Sequence, residues 1–185
     1  MITQTQIDEH CLWPPLRKFG AFVLEHADPD RGSGLPDYEQ MDLMRVPNLV
    51  PYIWVYDLRT PERREGLYVN FAGSKHDEVL ERPTMGLYDA ELPSIGVLLD
   101  RTVVEVKKAI EAQTVLYSRK DFAVMSGADR TDRDAVLGLL PEKKFRYSEA
   151  LFFPCSSDGE TVNWSIAAAD FQMRERTEED VFIHF

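Results

Sequence analysis

The stretch over residues 51–86 constrains the fold more than any other part of the chain. Residues 51–58 and 67–72 are two runs rich in aromatic and β-branched side chains, the types that fit a pleated, half-buried surface. A charged turn, residues 59–66, separates them, and Gly73-Ser74 stops the second run. Two strands so joined form an antiparallel hairpin. The two-residue period puts Tyr52, Trp54 and Tyr56 on one face and Ile53 and Val55 on the other. Neither face is polar, so the strand is expected to be covered on both sides. A short helix over residues 75–80 follows, broken by Arg82-Pro83-Thr84-Met85-Gly86.

Around this hairpin the chain reads in a definite order. A first helix is expected from Trp13 or Pro14 to His26, because proline is tolerated in a helix's first turn. Leu16, Phe19 and Val23 share one face of it, widened by Phe22 and Leu24. Residues 28–34 are dense in turn formers, so residues 1–34 read as a helix and linker tethered to a core rather than part of it. Residues 35–45 read as a short helix. The longest helix is predicted to open at Ser94, a reasonable N-cap, and to reach about Gln113, with an apolar stripe from Ile95 through Leu98 to Ile110. Three late strands are predicted over residues 114–118 (resuming through 122–125), 145–153 and 161–172. The last two are joined by a turn carrying Asp158-Gly159. An insertion at residues 127–141 separates the first two, and an acidic tail runs from residue 173 to 185.

The order strand-strand, short helices, long helix, three strands gives an α+β architecture: one antiparallel sheet with the helices on one face. A chain of 185 residues can bury a respectable core and suits one decorated domain. With 21 basic and 32 acidic residues the net charge is −11, which disfavours general binding to nucleic acid or anionic membranes. The short basic run Lys143-Lys144-Phe145-Arg146 reads as a solvated loop edge. No apolar run approaches the roughly 20 residues of a membrane span, and the N-terminus has no secretory pattern, so a cytoplasmic location is expected. Cys11 and Cys155 are too far apart in sequence for a disulfide framework or a zinc motif. The four histidines lack metal-ligand spacing, so no metal site is expected.

With these residues, that order resembles a PAS domain, and most of all the stand-alone PAS-like family common in alphaproteobacteria. The resemblance is carried by Leu35-Pro36, Met44, Leu49, Pro51, Val55 and Asp57, then Tyr68-Val69-Asn70-Phe71-Ala72-Gly73-Ser74. Met85-Gly86, residues 149–154 and Asp158-Gly159 continue it. It implies a PAS-like antiparallel five-stranded sheet over residues 35–172, cupping short helices, with an N-terminal flanking helix. It also implies a bacterial sensory or regulatory module that binds a small ligand, or associates with a partner protein or a second copy, without catalysis.

PAS domains carry haem, flavins, small metabolites or nothing. A flavin-adduct sensor of this fold needs a cysteine on the short helix, and residues 73–91 hold none. A haem sensor typically needs an axial histidine near the long helix, and residues 92–113 hold none. His76 reads as a surface helix residue. The candidate ligand pocket is lined by Tyr56, Asn70, Tyr117 and Trp164, with walls from Phe71, Leu98 and Val115. Leu16, Phe19, Phe22 and Val23 are the candidate homodimer surface. The terminal Val181-Phe182-Ile183-His184-Phe185 is too apolar to dangle freely, and either docks on its own chain or adds to that contact. The competing reading is a small-molecule enzyme of cup form, which would require Asp57 and Asp170 to meet inside a pocket. The acid runs at Asp77-Glu78 and Glu178-Glu179-Asp180 read as solvated faces.

Overall fold

The computed structural model describes residues 2–28, 30, 32–59, 67–80, 82–91, 96–123, 145–173 and 179–185. Two strands, β1 (Ile53–Asp57) and β2 (Tyr68–Ala72), form the expected hairpin. Three long strands follow: β3 (Leu116–Ala123), β4 (Phe145–Cys155) and β5 (Trp164–Met173). They form an antiparallel meander. Pairing of β1 with β5, from Ile53 opposite Ala168 to Asp57 opposite Trp164, welds hairpin and meander into one sheet.

The sheet has six strands, not five, in the order β2-β1-β5-β4-β3-β6. The sixth, β6 (Val181–His184), is the apolar C-terminus, paired antiparallel with the outer side of β3. It supplies partners for an edge that would otherwise present unpaired backbone groups. At the opposite edge, the Val69 amide donates to the Leu87 carbonyl and the Gly86 amide to the Val69 carbonyl, both at 2.8 Å. Gly86 has φ +86°, a conformation that a side chain would oppose.

Helices cover both faces, which corrects the one-sided layering expected from the sequence. On one face lie α3 (Ser74–Leu80) and α4 (Gly96–Ala112), packed on Trp54, Tyr56, Val69, Leu116 and Ala167. On the other lie α1 (Gln4–His10), which the sequence reading missed, and α2 (Pro14–Leu24), packed on Ile53, Val55, Leu151, Phe153 and Ile166. The burial of all five β1 residues follows, as the two apolar faces of that strand require. The proposed helix at 35–45 is instead two separate 3-10 turns, Tyr38–Gln40 and Leu43–Arg45, each opened by an aspartate side chain that accepts from the backbone.

The N-terminal segment is part of the core. Leu16, Phe19 and Val23 are fully buried and Phe22 nearly so, all in the cluster on the α2 face. These four residues are therefore spent inside the molecule and form no exposed dimer surface. The reason is stoichiometric: a sheet apolar on both faces needs a cover for each, and α3 and α4 supply one.

Gly73, which ends β2, sits against the turn into β1. A Cβ there would lie 2.2 Å from the Val50 carbonyl oxygen and 2.4 Å from Pro51 backbone atoms. Backbone cannot yield as a side chain would, so Gly73→Ala is expected to cost about 2 kcal/mol of stability, read as a lower urea midpoint. A midpoint matching the parent would show that the 50–52 turn can shift freely. Ser94 and the insertion at 127–141 lie outside the described residues, as does the charged turn beyond Arg59.

Candidate functional site

The sheet face beneath α4 carries an unusual mixture of side chains. Strand alternation puts Ser118 and Lys120 on the same face as Leu116, and Ser148 and Ala150 on the same face as Phe152. The register then sets them side by side. Lys120 stands opposite Ser148 and Ser118 opposite Ala150 across β3–β4, while Ala150 stands opposite Ala169 across β4–β5. All six are buried. Near its middle the sheet thus offers small side chains, with a lysine and two serines at the β3 side.

Lys120 is 8% exposed, and its Nζ donates to Thr102 Oγ1 on α4. Burial pushes the ammonium down to about 8, and the negative field of Asp180 opposes that shift. Ser118 is fully buried and its Oγ makes no hydrogen bond. A buried hydroxyl without a partner is a standing cost of about 1–3 kcal/mol, and native chains rarely retain one without a use.

The far side of this face is aromatic. His76 on α3 is buried, not at the surface as read from the sequence, and its ring lies edge-on to Trp54 at 4.8 Å and Phe171 at 5.1 Å. His76 Nε2 lies 2.8 Å from the Tyr52 carbonyl oxygen. Burial holds the imidazole down to about 4, so it is neutral and donates to that carbonyl. Tyr56, next to Trp54 on the same face, has its phenol pushed up by burial and by the field of Asp89.

The candidate pocket expected from the sequence does not assemble. Of its described members Tyr56 faces α4, while Phe71, Val115, Tyr117 and Trp164 pack into the cluster on the α2 face. Asn70 hydrogen-bonds Tyr38, whose ring packs on Trp164 on that same side. Leu98 belongs to α4, but its side chain is not among those described. The reason is parity. Val115 and Tyr117 alternate with Leu116 and Ser118, so choosing polar and aromatic residues without fixing the register mixed two faces. Lys120, the cation of β3 that has the parity of Leu116 where its neighbour Arg119 has that of Tyr117, was the signal that was available.

Asp57 and Asp170 do not meet either. Asp57 stands opposite Trp164 at one end of β5, and Asp170 lies six positions further along, roughly 20 Å away. Asp57 binds the Arg59 guanidinium at 3.1 Å, and Asp170 accepts from Gln172. The cysteine thiols are buried, Cys11 pushed up to about 12 by burial and by Glu149. Among the described residues, no group of three or more His, Cys, Asp or Glu side chains could hold a metal ion, and no helix is long and apolar enough to cross a membrane.

On the α2 face the sequence reading missed Glu149, which is 2% exposed. Its Oε1 accepts from the Leu12 amide at 2.6 Å and the Tyr117 hydroxyl at 3.0 Å, and its Oε2 from the Trp13 amide at 3.0 Å. That carboxylate is committed to holding the start of α2.

No family model and no curated protein matches the chain. Solved structures similar to it include VqmA bound to DPO, at 11% identity and a TM-score of 0.47, over 71% of this chain and 58% of that one. Another is a Vibrio cholerae VqmA dimer, described as a LuxR-type receptor in the absence of its target DNA. It matches at 13% identity and a TM-score of 0.47, over 74% of this chain and 52% of that one. The chain therefore spans a little over half the length of the VqmA chains it is similar to.

Proposed function

We propose that this chain is a PAS-like regulatory module that binds a small molecule between its sheet and α4 and passes the signal on by associating with a partner protein or a second copy, without catalysis. The observation that carries this reading is the unpartnered Ser118 hydroxyl beside the desolvated Lys120, both aimed at α4 over small side chains. A few polar groups set into an apolar gap are what orients a small ligand. The joining of an early hairpin to a late meander through β1 and β5 supports the PAS-like assignment. The separation of Asp57 from Asp170 leaves the enzyme reading without its acid pair.

Native mass spectrometry of the full chain, purified without added ligand, tests the proposal. The expected result is a protein mass with an excess of a few hundred daltons or less (the scale of a small metabolite) that is lost on denaturation. A mass equal to the bare chain in every preparation, with no stabilisation by a metabolite library, would overturn ligand binding. A ligand-free dimer in that case would leave association as the remaining role.

A further inference from the structure

We propose that the site beneath α4 takes a small organic carboxylate, with its anionic head held by Lys120 and Ser118 and its apolar body lying over Ala150 and Ala169. The inference rests on the ligand-binding reading above and narrows it to one chemical class.

The head group follows from the donors. A lysine ammonium has three donors and no acceptor, and a serine hydroxyl can donate one more. Lys120 has Thr102 as a hydrogen-bond partner, and Ser118 has none. Ser118 and Lys120 are two positions apart on β3, so their side chains are neighbours on the sheet face that α4 covers. A buried cation favours an anion in contact with it, because an uncharged acceptor leaves the charge uncompensated. Among the described residues, Asp180 is the negative charge whose field reaches Lys120, and burial still holds the ammonium below its ordinary range. A carboxylate offers two oxygens, one for each donor, and a charge-assisted hydrogen bond is about twice as strong as a neutral one.

The body follows from the floor. From β3 to β5 is two strand spacings, roughly 10 Å. Over that distance the face presents Ala150 and Ala169, buried and opposite each other. The Phe171 ring, edge-on to His76, and the Trp54 ring close the far side. That length suits one aromatic ring with a short arm, or a medium aliphatic chain.

The test uses the full chain with three acids, phenylacetate, indole-3-acetate and octanoate, each against its neutral amide. Thermal unfolding and calorimetric titration read the binding. At least one acid is expected to raise the melting temperature with concentration, and its amide to bind about tenfold or more weakly. Lys120→Met is expected to weaken that acid about tenfold to a hundredfold, and Ser118→Ala several-fold, so that the preference for acid over amide narrows. Both variants should fold, since one removes a buried charge and the other a hydroxyl without a partner. Equal binding of acid and amide, or undiminished acid binding by Lys120→Met, overturns the carboxylate assignment and leaves the ligand-binding reading standing. Absence of binding by all six compounds also overturns it, and native mass spectrometry then decides separately whether any other molecule is retained.

Discussion

Glu149→Ala is expected to remove about 3–5 kcal/mol of stability, a large share of what a domain of this size possesses. The carboxylate is 2% exposed and accepts three hydrogen bonds, from the amides of Leu12 and Trp13 and from the Tyr117 hydroxyl. Truncation leaves three donors short of an acceptor, each costing about 1–3 kcal/mol where water cannot reach. The start of α2 has little else to fall back on. Its N-cap is Trp13, which makes no side-chain cap, and prolines occupy its first turn. Glu149 stands in for that cap from a strand more than a hundred residues away in sequence. Glu149→Gln keeps one acceptor oxygen but turns an amide NH2 towards backbone donors, so it should cost about half as much. Urea unfolding followed by tryptophan fluorescence measures both variants. A loss below about 1 kcal/mol for Glu149→Ala would show that water enters beneath α2 and takes over the three donors.

This device also shows why the role of the N-terminal helices was hard to read. Their apolar residues are plain in the sequence, and Leu16, Phe19, Phe22 and Val23 do form one face. Whether that face meets a second copy or the chain's own sheet turns on partners distant in sequence, and nothing near position 149 marks Glu149 as the partner of residue 12 or 13. Short-range patterns were legible: the alternation of β1, the glycine closing β2, the long stripe of α4. The site was less so. Its residues come from β3, β4, β5 and α4, and only the register puts Lys120 beside Ser148 and Ser118 beside Ala150. A shift of one position along any of these strands would turn that strand's share of the set to the other face. The split of the expected pocket between two faces is that uncertainty made visible.

His76 makes the stability of the fold depend on pH in a definite direction. Burial holds its imidazole down to about 4, against an ordinary value near 6.5. Between those values the unfolded chain takes up a proton at His76 and the folded chain does not. Stability from this group is therefore complete above about pH 6.5 and is lost as the pH falls towards 4, by about 3 kcal/mol over the window. Asp77 is the neighbouring charge that favours the protonated ring, but burial dominates. The acidic residues titrate near the lower end of the same window, so the comparison must be with a variant that lacks the imidazole. His76→Gln keeps a donor for the Tyr52 carbonyl and carries no charge at any pH. Between pH 7 and 4.5 the parent should lose about 2–3 kcal/mol more than this variant in urea unfolding. Equal losses would mean that the folded chain accepts the proton, and hence that the ring is not sealed between Trp54 and Phe171.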